Sequence, residues 1–212
     1  MAHQTRPLDS AGRPPACWTR GALLVALGVP WAAPLAAQEL QVDLEQPRLV
    51  RFISQTTLEE FDGHTENIDG FVLLPGGLSP GEGHPGSQLY LEVDLASIET
   101  GIGLRDRHMR ENYLETDRYP WATFSAEIIS VESEPGDSYS VLARGRLGIH
   151  GVEREREIQC TVRSTSPPHR VSCDFPVLLG DHAIEIPRLM FLKLAEEVQL
   201  QVEFTLRPAA AG

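Results

Sequence analysis

Apolar and polar residues alternate along this chain with a period of two. Leu89, Leu91, Val93 and Leu95 fall on one side of a run whose other side is Tyr90, Glu92 and Asp94. Val198, Leu200, Val202, Phe204 and Leu206 alternate in the same way with Gln199, Gln201, Glu203 and Thr205. This spacing belongs to an extended strand with one apolar and one wet face. Ala122, Phe124, Ala126 and Ile128 make a third such run, and Tyr139, Val141, Ala143, Gly145, Leu147 and Ile149 a fourth. Further strands are expected over 48–54, 65–74, 152–164 and 170–178. Turn residues separate them at Pro75-Gly76-Gly77, Ser79-Pro80-Gly81, Glu134-Pro135-Gly136-Asp137 and Ser166-Pro167-Pro168, each a pairing that breaks regular structure.

About eight single-faced strands must bury those faces against one another, so the pattern predicts an all-β, antiparallel sheet folded as a sandwich or closed as a barrel. One stretch departs from it. Arg105 to Leu114 carries Met109 and Tyr113 four residues apart and Arg107 and Glu111 likewise, the spacing of a short helix with an inward apolar edge and an ion pair on its surface. Between 75 and 86 the Gly and Pro content predicts an open loop.

The N-terminus reads differently from the body. Arg6, Arg13 and Arg20 precede the apolar run Ala22 to Val29, and Ala32, Ala33, Ala36 and Ala37 follow it. That run is about half the length that crosses a bilayer, so it predicts a cleaved export signal over residues 1–37 and a mature domain over 38–212, without a stable membrane anchor. The expected location is periplasmic or secreted. Charge sharpens the picture: 18 basic residues stand against 30 acidic, a net of −12, and loss of the leader removes three Arg and one Asp. A nucleic-acid partner is excluded by that balance.

Cys17 leaves with the leader, and Cys160 and Cys173 remain in a chain bound for an oxidising compartment. If the strands on either side of Ser166-Pro167 form a hairpin, opposed residues sum to 333, as 160 and 173 do. Both cysteines also share the apolar parity of their strands, with Ile158 and Val162 on one and Val171 and Phe175 on the other. A disulfide is predicted, with two free thiols as the alternative.

Catalytic signatures are sparse. His108-x-x-Glu111 is the nearest approach to a metal-binding spacing, and His64, His84, His150, His169 and His182 are scattered among turns. No Gly-x-Ser-x-Gly, P-loop or dinucleotide fingerprint occurs, so no enzyme activity and no metal or cofactor is expected. Arg105, Arg107, Arg110 and Arg118 form a basic cluster whose charge is matched by Asp106, Glu111, Glu115 and Asp117; it reads either as a headgroup site or as a neutralised surface. Arg154 and Arg156 share parity with Ile158 and point into the sheet's apolar side unless a bulge at His150-Gly151 resets the register.

The stretch Ile98 to Leu114, continued by Tyr119-Pro120 and Phe124, resembles the signature region of the YceI-like proteins. Leu147-Gly148-Ile149-His150-Gly151-Val152 is similar to that family's Leu-Thr-Ile-His-Gly-Val turn, and Phe61-Asp62-Gly63-His64-Thr65 with Ile68-Asp69-Gly70 also fits. Gln46-Pro47, Gly148 and Glu153-Arg154-Glu155 depart from the family's usual residues. The resemblance spans about residues 40–207. It implies a lipocalin-like antiparallel β-barrel of about eight strands with one short helix, exported in bacteria. It also implies an interior that holds a polyisoprenoid, the tail of a quinone or a polyprenyl lipid.

On that reading the ligand-facing positions are Leu89, Leu91, Val93, Phe124, Ile128, Val141, Ala143, Leu147, Val198, Leu200, Val202 and Phe204. Arg105, Arg107, His108, Met109, Arg110 and Tyr113 form a lid or hold the headgroup. A barrel packed solid with side chains, serving as an adaptor, fits the same parity, and a hydrolase or metal enzyme built on His108 and Glu111 is a third reading. The oligomeric state, a dimer included, is left open.

Overall fold

The computed structural model describes residues 37–55, 60–185, 188–189, 192–193 and 195–209. Apart from Ala37, the expected leader lies outside the described residues, as does Cys17.

The chain lays down β1 (Ala37–Val42), β2 (Leu49–Gln55), β3 (Glu60–Thr65), β4 (Ile68–Pro75), β5 (Gly81–Glu82) and β6 (Gln88–Asp94). Helix α1 (Gly103–His108) follows, then β7 (Trp121–Glu134), β8 (Ser138–Ile149), β9 (Val152–Arg163), β10 (His169–Leu178), the short pair β11 (Arg188–Leu189) and β12 (Leu192–Lys193), and β13 (Glu197–Pro208). Neighbours in the main sheet run β1-β4-β6-β7-β8-β9-β10-β13, every pair antiparallel, and β13 returns to β1. The result is a closed eight-stranded antiparallel barrel.

Closure divides β13 between two partners. Its C-terminal part pairs with β1 from Leu40↔Pro208 to Val42↔Leu206, and its N-terminal part pairs with β2 from Leu49↔Glu203 to Ile53↔Gln199. The hairpin β2–β3 therefore extends one end of the wall, where two backbone hydrogen bonds between His64 and Glu99, each 2.9 Å, tie its edge to the segment after β6. That end, where β7 begins and β8 and β10 finish, is called the mouth below.

The alternating residues enter the barrel as expected, and their deviations have local causes. The expected strand over 65–74 is two strands, because Asn67 N–H donates to the Thr65 hydroxyl at 2.9 Å and a side-chain-capped turn replaces extended backbone there. The expected loop over 75–86 contains β5, which pairs Gly81 with Val131. β6 stops at Asp94, whose carboxylate accepts from Ala96 N–H and opens a single tight turn over Leu95–Ser97. In β7 a bulge between Ile128 and Ser130 shifts the inward face from even to odd positions, so Val131 is buried; a one-residue insertion does this because side chains alternate with period two. The helix is shorter than expected, since after His108 the chain widens into one turn closed by Leu114 N–H on the Met109 carbonyl.

Close approach matters at Gly145. A Cβ there would lie 2.1 Å from the Ser125 carbonyl oxygen and 2.4 Å from Ala126 Cα. Both obstacles belong to the neighbouring strand's backbone and cannot rotate away. Gly145→Ala is expected to destabilise the barrel by about 1 to 3 kcal/mol, measurable by urea unfolding.

Cys160 and Cys173 are bonded, with Cα atoms 4.3 Å apart and directly opposed between β9 and β10. The hairpin arithmetic holds along all described rungs, from Arg163↔Arg170 to Cys160↔Cys173. The bond closes a short loop, sequence separation 13, for which chain entropy gives about 3 kcal/mol. Reduction is expected to lower the unfolding free energy by an amount of that order, read from urea unfolding, and thiol labelling of the denatured, unreduced protein should find neither Cys160 nor Cys173 reactive.

Candidate functional site

Inward side chains leave a cavity of about 640 Å³ along the barrel. Its wall is almost wholly apolar. Leu89, Leu91 and Val93 reach it from β6, Phe124 and Ile128 from β7, Val141, Ala143 and Leu147 from β8, and Val198, Leu200, Val202 and Phe204 from β13. Eight strands suffice either for a side-chain-filled core or for one small ligand, and the balance here is set by small residues. Ala126 of β7 stands opposite Gly145 of β8, and Ala143 opposite Ile128, so the wall is thin where those two strands meet.

Other lining residues were not singled out by alternation. Leu40 belongs to the strand next to the expected leader, Phe52 and Phe61 come from the β2–β3 hairpin, and Ile98, Ile102 and Leu104 come from the connection over the mouth. The first three sit in strands of six or seven residues, Ile98 and Ile102 lie in irregular backbone, and Leu104 lies in the first turn of α1. Family resemblance over 98–114 was the available signal for them.

Helix α1 and the wide turn after it cross the mouth. Met109 and Tyr113 face the cavity, as do Arg105 and His108. Arg107 is exposed and Arg110 half-buried, and neither lines the cavity. The expected Arg107–Glu111 ion pair does not form among the described residues. The lid arginines bind mainly the lid itself: Arg105 lies 4.8 Å over the Phe61 ring and donates to the Thr100 hydroxyl at 3.0 Å, while Arg110 donates to the Ala96 and Ile98 carbonyls, both at 3.3 Å. Of Arg105, Arg107, Arg110 and Arg118, only Arg118 pairs with a carboxylate among the described residues, Glu115 at 2.8 Å. A helix of this length has no stability of its own, so these anchors hold it in place.

Asp106 is the buried centre of that anchoring. It accepts from Thr100 N–H at 2.8 Å and from the Thr100 hydroxyl. Burial acts to raise its pKa, but the two Thr100 bonds and the charges of Arg110 and Arg105 outweigh it, and the carboxyl is held below its ordinary value. At the leading edge of α1, Ile102 and Leu104 are 54% and 62% exposed while also lining the cavity; the cavity opens past them.

The histidines tie turns together. His169 donates through Nδ1 to the Ser164 carbonyl at 2.7 Å and His182 to the Val152 carbonyl at 2.9 Å, and both are buried. Burial lowers the His182 pKa, so its ring is neutral at pH 7. His150 packs edge-on to Tyr119 and lies 3.8 Å from Glu115. His108 and Glu111 find no third ligand: the described residues contain no cluster of three His, Cys, Asp or Glu able to hold a metal. No helix among them is long and apolar enough to cross a membrane.

A sequence model of the YceI-like domain matches residues 41–206. The chain belongs to the YceI-like family. Comparison with curated protein sequences gives no match. Among solved structures the YceI-like chain is similar to BcnA of Burkholderia cenocepacia, with 18% identity and a TM-score of 0.61, covering 77% of this chain and 98% of that one. It is similar to a polyisoprenoid binding domain from Saccharophagus degradans implicated in plant cell wall breakdown, with 17% identity and a TM-score of 0.60, covering 82% and 100%. A YceI protein of Campylobacter jejuni aligns at 14% identity and a TM-score of 0.52, covering 70% and 85%. At these identities the likeness establishes the fold.

Asp106→Ala is expected to cost about 1 to 2 kcal/mol, the value of a lost cap-type bond at a buried donor, and to speed amide exchange at Thr100. Because the folded pKa is depressed, the stabilisation is complete above the ordinary aspartate range and is lost only as pH falls through the lowered value. Wild type should therefore keep Thr100 protected, relative to its intrinsic exchange rate, at pH 5 and lose that protection only in stronger acid, while the variant lacks it at both.

Proposed function

We propose that this YceI-like barrel is an exported, non-catalytic carrier that holds the apolar chain of an isoprenoid lipid, a quinone tail or a polyprenyl lipid. The observation that carries this reading is the apolar cavity of about 640 Å³ opening past Ile102 and Leu104. A barrel evolved only for stability gains from filling such space, because each missing contact in an apolar cavity costs packing energy. The polyisoprenoid binding domain of similar fold supports the choice of ligand class. A periplasmic or secreted location is part of the proposal, supported by the Cys160–Cys173 bond, which suits an oxidising compartment, and by the leader-like N-terminus.

At about 30 Å³ per non-hydrogen atom the cavity accepts roughly twenty carbons, or about four isoprene units. Burial at about 0.8 kcal/mol per CH₂ gives each unit roughly 3 to 4 kcal/mol. Four units exceed the lower estimates of the cost of association and leave at least micromolar affinity. A longer chain would extend out of the mouth.

Mass spectrometry of lipid extracted from protein purified from its own host should find one isoprenoid class in about stoichiometric amount. Ala143 is 4% exposed on the cavity wall, and Ala143→Phe should remove that lipid with little change in melting temperature. In a close-packed interior the same substitution costs about 1 to 3 kcal/mol. A large fall in melting temperature, with no lipid in the wild type, overturns the carrier in favour of a structural barrel.

A further inference from the structure

The inward face of β9 changes character on its way to the mouth. Val162, Cys160 and Ile158 line the cavity, and the next two positions of that parity are Arg156 and Arg154. Pairing between β8 and β9 runs without a slip from Ser138↔Arg163 to Ile149↔Val152, so the His150-Gly151 turn does not reset the parity and both arginines keep the face of Ile158. Arg154 stands directly opposite Leu147, itself a lining residue, while Arg154, exposed, and Arg156, half-buried, lie outside the cavity lining itself.

Neither arginine has a carboxylate within 4 Å among the described residues. Arg156 donates through Nη2 to the Pro176 carbonyl, and Arg154 through Nη1 to the Glu153 carbonyl. The acidic residues of β9 face outward, where Glu157 pairs with Arg144 at 2.7 Å and Glu153 with Arg146 at 3.4 Å, and Glu155 stands opposite Arg146. On the lid, Arg105 is held by the Phe61 ring and Thr100 and Arg110 by two backbone carbonyls, whereas Arg154 and Arg156 each give one guanidinium nitrogen to a single carbonyl. The wall beside the two β9 arginines lacks a full backbone ladder. Among the described residues β9 and β10 pair only between residues 160–163 and 170–173; toward the mouth the seam is crossed by side chains instead, Arg156 to the Pro176 carbonyl and His182 to the Val152 carbonyl.

We propose that Arg154 and Arg156 form the headgroup end of the site. The ligand is then an amphiphile whose apolar chain lies in the cavity and whose headgroup is an anion, a phosphate or a carboxylate, held by two guanidinium forks. Such forks match the oxygen geometry of either anion. A protein with a net charge of −12 repels anions over most of its surface, so an anionic headgroup is oriented toward this one rim. The assignment rests on the carrier reading and narrows it from isoprenoid lipids at large to charged ones.

The test compares three lipid probes on the full chain, a prenyl phosphate, the matching prenyl alcohol and a fatty acid of similar length, with inorganic phosphate as a fourth. At low salt at least one anionic probe should bind about tenfold or more tighter than the alcohol, with a preference that shrinks as ionic strength rises; which anion wins identifies the headgroup. Arg154→Gln with Arg156→Gln should bring that anion to the alcohol's affinity and leave alcohol binding unchanged. If the double variant fails to fold, Arg154→Gln alone, at an exposed position, should remove part of the preference. Inorganic phosphate by itself should bind far more weakly than the prenyl phosphate. Equal binding of anions and alcohol by the wild type, a preference that survives the folded variants, or inorganic phosphate binding as tightly as the prenyl phosphate would each overturn the assignment. If no probe binds, the carrier reading fails and takes the headgroup site with it.

Discussion

Three rungs between β1 and β13 hold the ring closed. Without them both strands would expose an edge and the apolar faces of the sheet would have no common interior. Backbone donors and acceptors in a buried wall must be paired, and a circular ladder pairs them all round the barrel except along the mouth end of the β9–β10 seam. Closure at β1 also fixes where β2 can pair, because β13 has then only its N-terminal part to offer. The flared hairpin β2–β3, the widened mouth and the need for a lid follow from that division of one strand between two partners.

The lid shows how a short, charged segment is kept over an apolar opening. Its arginines do not form the carboxylate pairs that their composition invites. Arg105 and Arg110 are absorbed by backbone carbonyls, by Thr100 and by the Phe61 ring, Arg107 is exposed, and Asp106 turns inward to Thr100. Exposed ion pairs contribute little in water, whereas bonds to otherwise unsatisfied carbonyls and amides remove a larger penalty. The neutral balance of the segment is thus a property of the sum, and the individual groups have different duties.

The wall trades stability for volume. Ala126, Ala143 and Gly145 keep side-chain bulk low where β7 meets β8, and the disulfide stands at the last rung of the partial β9–β10 seam. A covalent link at the end of a ladder limits how far the seam can open, and beyond it, among the described residues, the two strands are joined by side chains and not by a backbone ladder. Cavity and seam belong to one design in which the barrel is firm at depth and looser toward the mouth.

Strand identity, parity and the cysteine register were legible in the sequence because each depends on a local rule: period two for side chains and a constant sum for opposed residues in a hairpin. Leu89, Val141 and Phe204 could be assigned to the interior without knowing what lay across from them. The family resemblance over 98–114 located the lid, though its wide turn and the duties of its arginines depend on Thr100, Phe61 and the Ala96 and Ile98 carbonyls, which only the folded chain brings near. The bulge at Ile128, the split of 65–74 into two strands and the placing of β1 were not legible, since each is settled by a partner distant in sequence or by a turn competing with extension. Parity alone could not distinguish a filled barrel from one with a cavity. Volume is a sum over all eight walls, and one strand's sequence carries no account of what the opposite wall contributes.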